Sequence, residues 1–214
     1  MRPGFIDGPI HPGGAAPSLT ALLSRFGGVA FDARSGETLL PGDLRLERAP
    51  RDVHQDSRRV GPGDIFAGLP GLRVNGACFV PEVLGRGALA ALVPEDAEID
   101  DLADVRVAPE GGILWRHPRA TELVGALATR VYGRPDVTLD LVGITGTNGK
   151  TSVAHLAGEV LTHAGRRPAV LGTAGHRLAG PAGPVELPAS HTTPEVTELV
   201  RRLARQDAPM SFVD

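Results

Sequence analysis

The sequence predicts an α/β protein in two parts: a small α/β domain over 18–134 and, over 135–214, the beginning of a parallel-sheet domain of the phosphate-loop type. Three observations predict it. Two short apolar runs flank a helix-forming segment between positions 65 and 93. A glycine-rich segment at 146–152 lies between a run rich in Val, Leu and Ile and an amphipathic stretch. Gly133-Arg134-Pro135, which cannot continue a helix, separates the two parts.

The elements follow in order. Ser18 is placed to cap a helix carrying Leu19, Leu22, Leu23 and Phe26 on one face, and Gly27-Gly28 stops it. Residues 29–47 read as irregular. Residues 58–63 are polar and turn-rich, and Ile65-Phe66-Ala67-Gly68-Leu69 reads as a buried strand. Pro81 opens a short helix that Gly87 ends, and Ala88-Leu89-Ala90-Ala91-Leu92-Val93 is a second apolar strand. A helix follows over 118–132, with Leu123, Leu127 and Val131 on one face. Beyond the boundary, 137–144 reads as a buried parallel strand. After the glycine loop, Val153, Leu156, Ala157, Val160 and Leu161 recur at helical spacing up to Gly165, and Ala169-Val170-Leu171 is the next apolar segment.

Composition excludes several function classes. Among 214 residues, 22 Lys and Arg against 25 Asp and Glu give a net charge of −3, so no basic field for nucleic acid is present. The single cysteine, Cys78, allows neither a disulfide framework nor a cysteine zinc site and is expected in the core. Seven histidines are scattered without a paired metal motif. Residues 1–17, rich in Gly and Pro, read as a disordered leader without the apolar run of a secretory signal. No apolar run approaches the ~20 residues that span a bilayer. A cytoplasmic protein with no nucleic-acid or membrane partner is expected. Trp115, the only tryptophan, is expected to pack between the domains.

The strongest chemical signal is Gly146-Thr147-Asn148-Gly149-Lys150-Thr151-Ser152. Between a strand and a helix, such glycines let backbone N–H groups converge on phosphate oxygens at the positive end of the helix. Lys150 then neutralises phosphate charge, and the Thr151 hydroxyl is a ligand for Mg²⁺. The general phosphate-loop pattern has a further glycine where this chain has Ile144; its first glycines are Gly143 and Gly146.

With these residues the chain resembles the Mur ligases. The segment 146–152 is similar to the short ATP loop of that family. Asp56-Ser57-Arg58-Arg59-Val60-Gly61-Pro62-Gly63-Asp64-Ile65-Phe66 resembles the N-terminal signature of the members that add the third and fourth residues to the peptidoglycan precursor. Leu69-Pro70-Gly71 and Asn75-Gly76 continue it. His191-Thr192-Thr193-Pro194-Glu195 resembles a segment of the third-residue enzymes, and Tyr132-Gly133-Arg134-Pro135 matches the helix end before the ATP domain. The resemblance covers roughly residues 52–212.

The resemblance implies an ATP-dependent amide-bond ligase that phosphorylates the terminal carboxylate of UDP-N-acetylmuramoyl-dipeptide and lets a diamino acid displace the phosphate. ATP and Mg²⁺ are the implied cofactors, held by 146–152, with Lys150 and Thr151 catalytic and Thr151 a metal ligand. The implied uridine contacts are Gln55 and Ser57, with Leu72, Arg73 and Val74 on a second loop. His191, Thr192 and Thr193 fall where the substrate joins sugar to peptide. Lysine and meso-diaminopimelate are equally open as the added residue.

Structural roles stand beside these. Ser57 also suits a turn, and Thr193 before Pro194 also suits a helix N-cap. Arg58 and Arg59 suit either a diphosphate or solvent. Met210-Ser211-Phe212-Val213 matches the start of a strand that in the family ends in a Mg²⁺-binding Glu; Asp214 stands near that position. The chain is thus expected to be a truncated ligase that does not complete ligation. The alternatives are a non-catalytic module holding the UDP-linked substrate, or a generic phosphate-loop ATPase or kinase.

Overall fold

The structure is a computed structural model, and it describes residues 16–72, 74–99, 102, 112–172, 175–180, 183–187, 195–205 and 210–213. The chain forms two compact units, Met1–Gly133 and Arg134–Asp214. Each is a five-stranded sheet with helices.

In the first unit α1 spans Leu19–Phe26; the Ser18 hydroxyl accepts from the Ala21 N–H, and Gly27 at φ 83° ends the helix. The chain then runs through β1 (Val29–Asp32), β2 (Val53–His54), β3 (Ile65–Ala67), α2 (Val80–Gly85), β4 (Ala90–Pro94), β5 (Ile113–His117) and α3 (Ala120–Val131). The sheet order is β1-β5-β4-β3-β2. Strands β2 to β5 are parallel neighbours, and β1 adds antiparallel to β5. The segment 29–47, expected to be irregular, therefore supplies an edge strand. Its pattern of half-buried positions is too short for the period of two to show.

Parallel strands covered on both faces need apolar residues at every position, and β3 and β4 comply. Phe66, Ala91, Val93 and Leu114 join Val80, Val83 and Leu84 in one core cluster. The alternate residues, among them Ile65, Leu92 and Trp115, are buried on the opposite face, with α3 against β4. Leu123, Leu127 and Val131 of α3 are buried as their spacing predicts. Two expectations fail. Trp115 is a core residue of this unit, its indole N–H donating to Gly27 O at 3.0 Å. Cys78 is exposed, because it lies on the outer side of a 3-10 turn whose inward residue is Ala77.

The second unit contains α4 (Pro135–Thr138), β6 (Asp140–Gly143), α5 (Lys150–His163), β7 (Pro168–Gly172), β8 (Gly175–Gly180), β9 (Gly183–Leu187), α6 (Val196–Arg205) and β10 (Met210–Val213). Its sheet order is β6-β10-β7-β8-β9; β6, β10 and β7 are parallel and β8 and β9 add antiparallel. The strand expected over 137–144 is shorter and exposed. Pro135 starts a helical turn that takes Val137 with it, and β6 is an edge strand with Leu141 and Val142 exposed.

The buried side of α5 matches the expected one only at Ala157 and Leu161. Ala154 and Gly158 are buried, and Ala157 and Leu161 pack beside Val170 of β7. Val153, Leu156 and Val160 are exposed. In α6 the inward side carries charge as well as Val200 and Leu203: Glu198 accepts from Arg201 at 2.9 Å and from Arg202 at 2.8 Å.

Candidate functional site

The glycine loop of the second unit leaves β6 at Gly143 and enters α5 at Lys150. Gly149 is the N-cap at φ 80°, ψ −4°, and Gly146 has φ 150°. A Cβ at Gly149 would meet nothing within 4 Å, and one at Gly146 only the Asn148 carbonyl at 3.7 Å. These glycines are therefore needed for backbone conformation and not for space. No side chain caps α5, and its first turn carries no acidic residue. Backbone dipoles at such a helix start present a positive end toward the loop.

Lys150 closes the loop on itself: its Nζ donates to Gly146 O at 2.7 Å. Thr147, Asn148 and Ser152 are exposed, while Lys150 and Thr151 are half-buried. The loop thus gathers one ammonium, two hydroxyls in the first helical turn and a glycine backbone, a donor set for phosphate oxygens. Among the described residues no group of three His, Cys, Asp or Glu could hold a metal ion. The Thr151 hydroxyl, at the start of α5, is of a type that supplies one ligand to a magnesium ion otherwise held by phosphate and water oxygens.

In the first unit, the residues expected on the uridine side leave the carboxyl ends of two adjacent parallel strands, the edge where open α/β sheets bind ligands. After β2 come Gln55 and Ser57. Ser57 is buried and starts a 3-10 turn (Ser57–Arg59) capped by Asp56, whose side chain accepts from the Arg58 N–H at 3.1 Å. The Arg58 guanidinium grips both carboxylate oxygens of Asp56 at 2.8 Å, which holds that carboxyl below its usual value. Arg58 is thereby engaged locally. The Gln55 Oε1 atom is buried and accepts no hydrogen bond.

After β3 the chain turns back on itself: Gly71 N donates to Val74 O at 3.1 Å and Gly76 N to Leu69 O at 2.9 Å. Leu72 at the tip and Val74 are exposed. A Cβ at Gly76 would lie 2.7 Å from Leu69 O, so only glycine closes this turn. The structure brings Gln55, Ser57, Leu72 and Val74 to one sheet edge and Gly146 to Ser152 to one loop. Arg73, His191, Thr192, Thr193 and Asp214 lie outside the described residues.

Two supports of the first edge escape sequence reasoning. Arg86 donates through Nη2 to Ser57 O, and Tyr132 reaches Asp52 and Val53. Both partners are far apart in sequence, so no local pattern announces them.

Residues 144–212 match the Mur ligase middle domain. The chain is 37% identical over 168 residues to a UDP-N-acetylmuramoyl-L-alanyl-D-glutamate--2,6-diaminopimelate ligase of Synechococcus elongatus, covering 78% of this chain and 32% of that protein. A solved structure of a ligase of the same name superposes with a TM-score of 0.61 at 25% identity, over 87% of this chain and 36% of the other. A UDP-N-acetylmuramoylalanyl-D-glutamyl-2,6-diaminopimelate--D-alanyl-D-alanyl ligase from Acinetobacter baumannii shares the fold, with a TM-score of 0.53 at 17% identity over 96% of this chain and 36% of the other. The chain spans about a third of the length of these relatives.

Proposed function

We propose, for a chain that belongs to the Mur ligase family, that its two units hold the two large substrates of one amide-bond-forming reaction. The loop 146–152 takes ATP. The carboxyl edge of the first sheet, with Gln55, Ser57, Leu72, Arg73 and Val74, takes the uridine end of UDP-N-acetylmuramoyl-dipeptide. His191, Thr192 and Thr193 meet the substrate where its sugar joins its peptide. The incoming amine belongs to a diamino acid; the names of the relatives support 2,6-diaminopimelate.

The chemistry is phosphoryl then acyl transfer. The substrate carboxylate attacks the γ-phosphorus and ADP leaves; the amine then attacks the acyl carbon and inorganic phosphate leaves. Lys150 stabilises the charge that spreads over the transferring oxygens, helped by the N–H groups at the start of α5. Bound Mg²⁺ supplies further charge neutralisation at the phosphates, with Thr151 as the side-chain ligand.

The observation that carries this reading is the Lys150–Gly146 closure at 2.7 Å between β6 and an uncapped α5. Calorimetric titration with ATP and Mg²⁺, and separately with UDP, tests it in the full 214-residue chain. Expected are ATP binding that Lys150→Ala abolishes and UDP binding that it leaves intact. ATP binding indifferent to Lys150 overturns the loop assignment.

The competing reading is a module that binds the UDP-linked substrate without completing ligation. Phosphate release that requires the UDP-linked dipeptide, ATP and the diamino acid together excludes this second reading.

A further inference from the structure

Strand β2 is two residues long and lies at the edge of its sheet, paired only with β3. Its inner side is held by the ladder: Val53 pairs with Ile65, and Ile65 N donates to Asp52 O at 2.8 Å. Its outer side has no neighbouring strand among the described residues. An edge that short contributes too few ladder bonds to fix the chain that leaves it. Yet that chain carries Gln55 one residue beyond the strand and Ser57 three beyond.

The outer side meets two side chains: Val53 N donates to Asp52 Oδ1 at 2.6 Å, and the Tyr132 hydroxyl lies beside both. Tyr132, buried at the end of α3, donates through its phenol to the Asp52 carboxylate. The same oxygen accepts from Val53 N at 3.3 Å and lies 3.2 Å from Val53 O. It thus lies against the backbone of Val53 where another strand would have paired, its one proton directed to Asp52. Asp52 turns its second carboxylate oxygen toward His54 Nε2 at 3.5 Å, and His54 lies equally far from Asp64. Asp64 in turn accepts from Gly61 N at 2.8 Å. A chain of polar groups, buried at His54 and Asp64 and half-buried at Asp52, therefore runs from the α3 terminus through β2 to the far end of the 55–64 loop.

The geometry points to Tyr132 as a positioning residue for the uridine side: its hydroxyl, through Asp52 and Val53, sets where β2 releases Gln55 and Ser57. The role is one of geometry transmitted along three residues of backbone, and Tyr132 does not touch the ligand. The inference rests on the assignment of Gln55 and Ser57 to the uridine side.

UDP titrated calorimetrically into the full chain tests it. Tyr132→Phe keeps the ring and removes the hydroxyl; it is expected to weaken UDP binding about tenfold, the scale of one charge-assisted hydrogen bond. Asp52→Ala is expected to weaken it equally, and the double variant no further. Asp52→Asn, which retains an oxygen acceptor for the phenol, restores most of the affinity. Leu123→Ala opens a cavity in the same helix and lowers the melting temperature while UDP affinity holds, which separates positioning from general stability. Should Tyr132→Phe fail to fold, the contrast of Asp52→Ala with Asp52→Asn carries the same comparison. Wild-type affinity in Tyr132→Phe, with Gln55→Ala still weakened, overturns the positioning role alone. If Gln55→Ala and Ser57→Ala both bind UDP like the wild type, the uridine assignment falls, and the inference with it.

Discussion

Gly158 of α5 faces Val170 of β7 so closely that a Cβ on the glycine would lie 2.9 Å from Val170 Cγ2. The contact sets how near the helix carrying the glycine loop approaches the sheet, and so where Lys150 stands above the end of β6. A single hydrogen atom in place of a side chain fixes that separation.

Gly158→Ala pits two effects against each other. Alanine gains about 1 kcal/mol of helix propensity, but overpacking against a stiff β-branched neighbour costs about 1–3 kcal/mol. The overlap wins, with a net loss of about 1 kcal/mol in urea unfolding. Adding Val170→Ala opens room for the new methyl, so the double variant loses less than the two single losses combined. Strict additivity would refute the steric account.

The N-terminal edge offers a harsher case. Gly28 has φ 86°, and a Cβ there would sit 2.6 Å from both Arg116 O and Trp115 Nε1. Backbone cannot yield as a flexible side chain can. Gly28→Ala is expected to cost about 3 kcal/mol or more, from left-handed strain together with a clash. A melting temperature within two or three degrees of the wild type (~1 kcal/mol or less by calorimetry) would contradict it.

Acid should expose the Asp32 cluster. Burial pushes the Asp32 carboxyl up, but the Ser35 N–H, the Arg45 guanidinium and the Arg34 N–H outweigh it and bring it down to about 2. A carboxyl lowered on folding stabilises above its unfolded value near 3.8, and that stability drains away as pH falls toward about 2. At neutral pH the contribution is on the order of 2 kcal/mol. The stability gap between wild type and Asp32→Asn should therefore be full at pH 6 and mostly gone by pH 2. A gap that does not change between those limits would show that the charge is not responsible.

Cys78, exposed on its 3-10 turn, should react with a thiol reagent in the native protein at a rate close to that of a free thiol. Reaction only after denaturation would place it in the core.

How much of this was legible in the sequence depends on distance along the chain. The ends of α1 were readable because Ser18 and Gly27 act on atoms three or four positions away. The glycine loop was readable because its donors are consecutive residues. The buried side of α5 was misread for a physical reason. Apolar residues occupy two overlapping stripes, and periodicity favours the one with larger side chains, Val153, Leu156 and Val160. Close approach to β7 instead adds the small residues Ala154 and Gly158 to Ala157 and Leu161 of the expected stripe. Tyr132 looked like a helix end; its hydroxyl partners lie 79 and 80 positions upstream, beyond any local pattern.

The placement of β1 has a kinetic side. Strands β3 and β4 pair across a short connection, Ile65 with Ala90, whereas Trp115 reaches Gly27 across 88 positions. Closing so long a loop is entropically late, and contacts that form late are absent from the folding nucleus. Destabilising changes in β1 should therefore hasten unfolding and leave the refolding rate nearly untouched, while changes in β3 or β4 slow refolding. The edge strand then acts as a latch on an already assembled sheet, governing how long the native state lasts more than how fast it is reached.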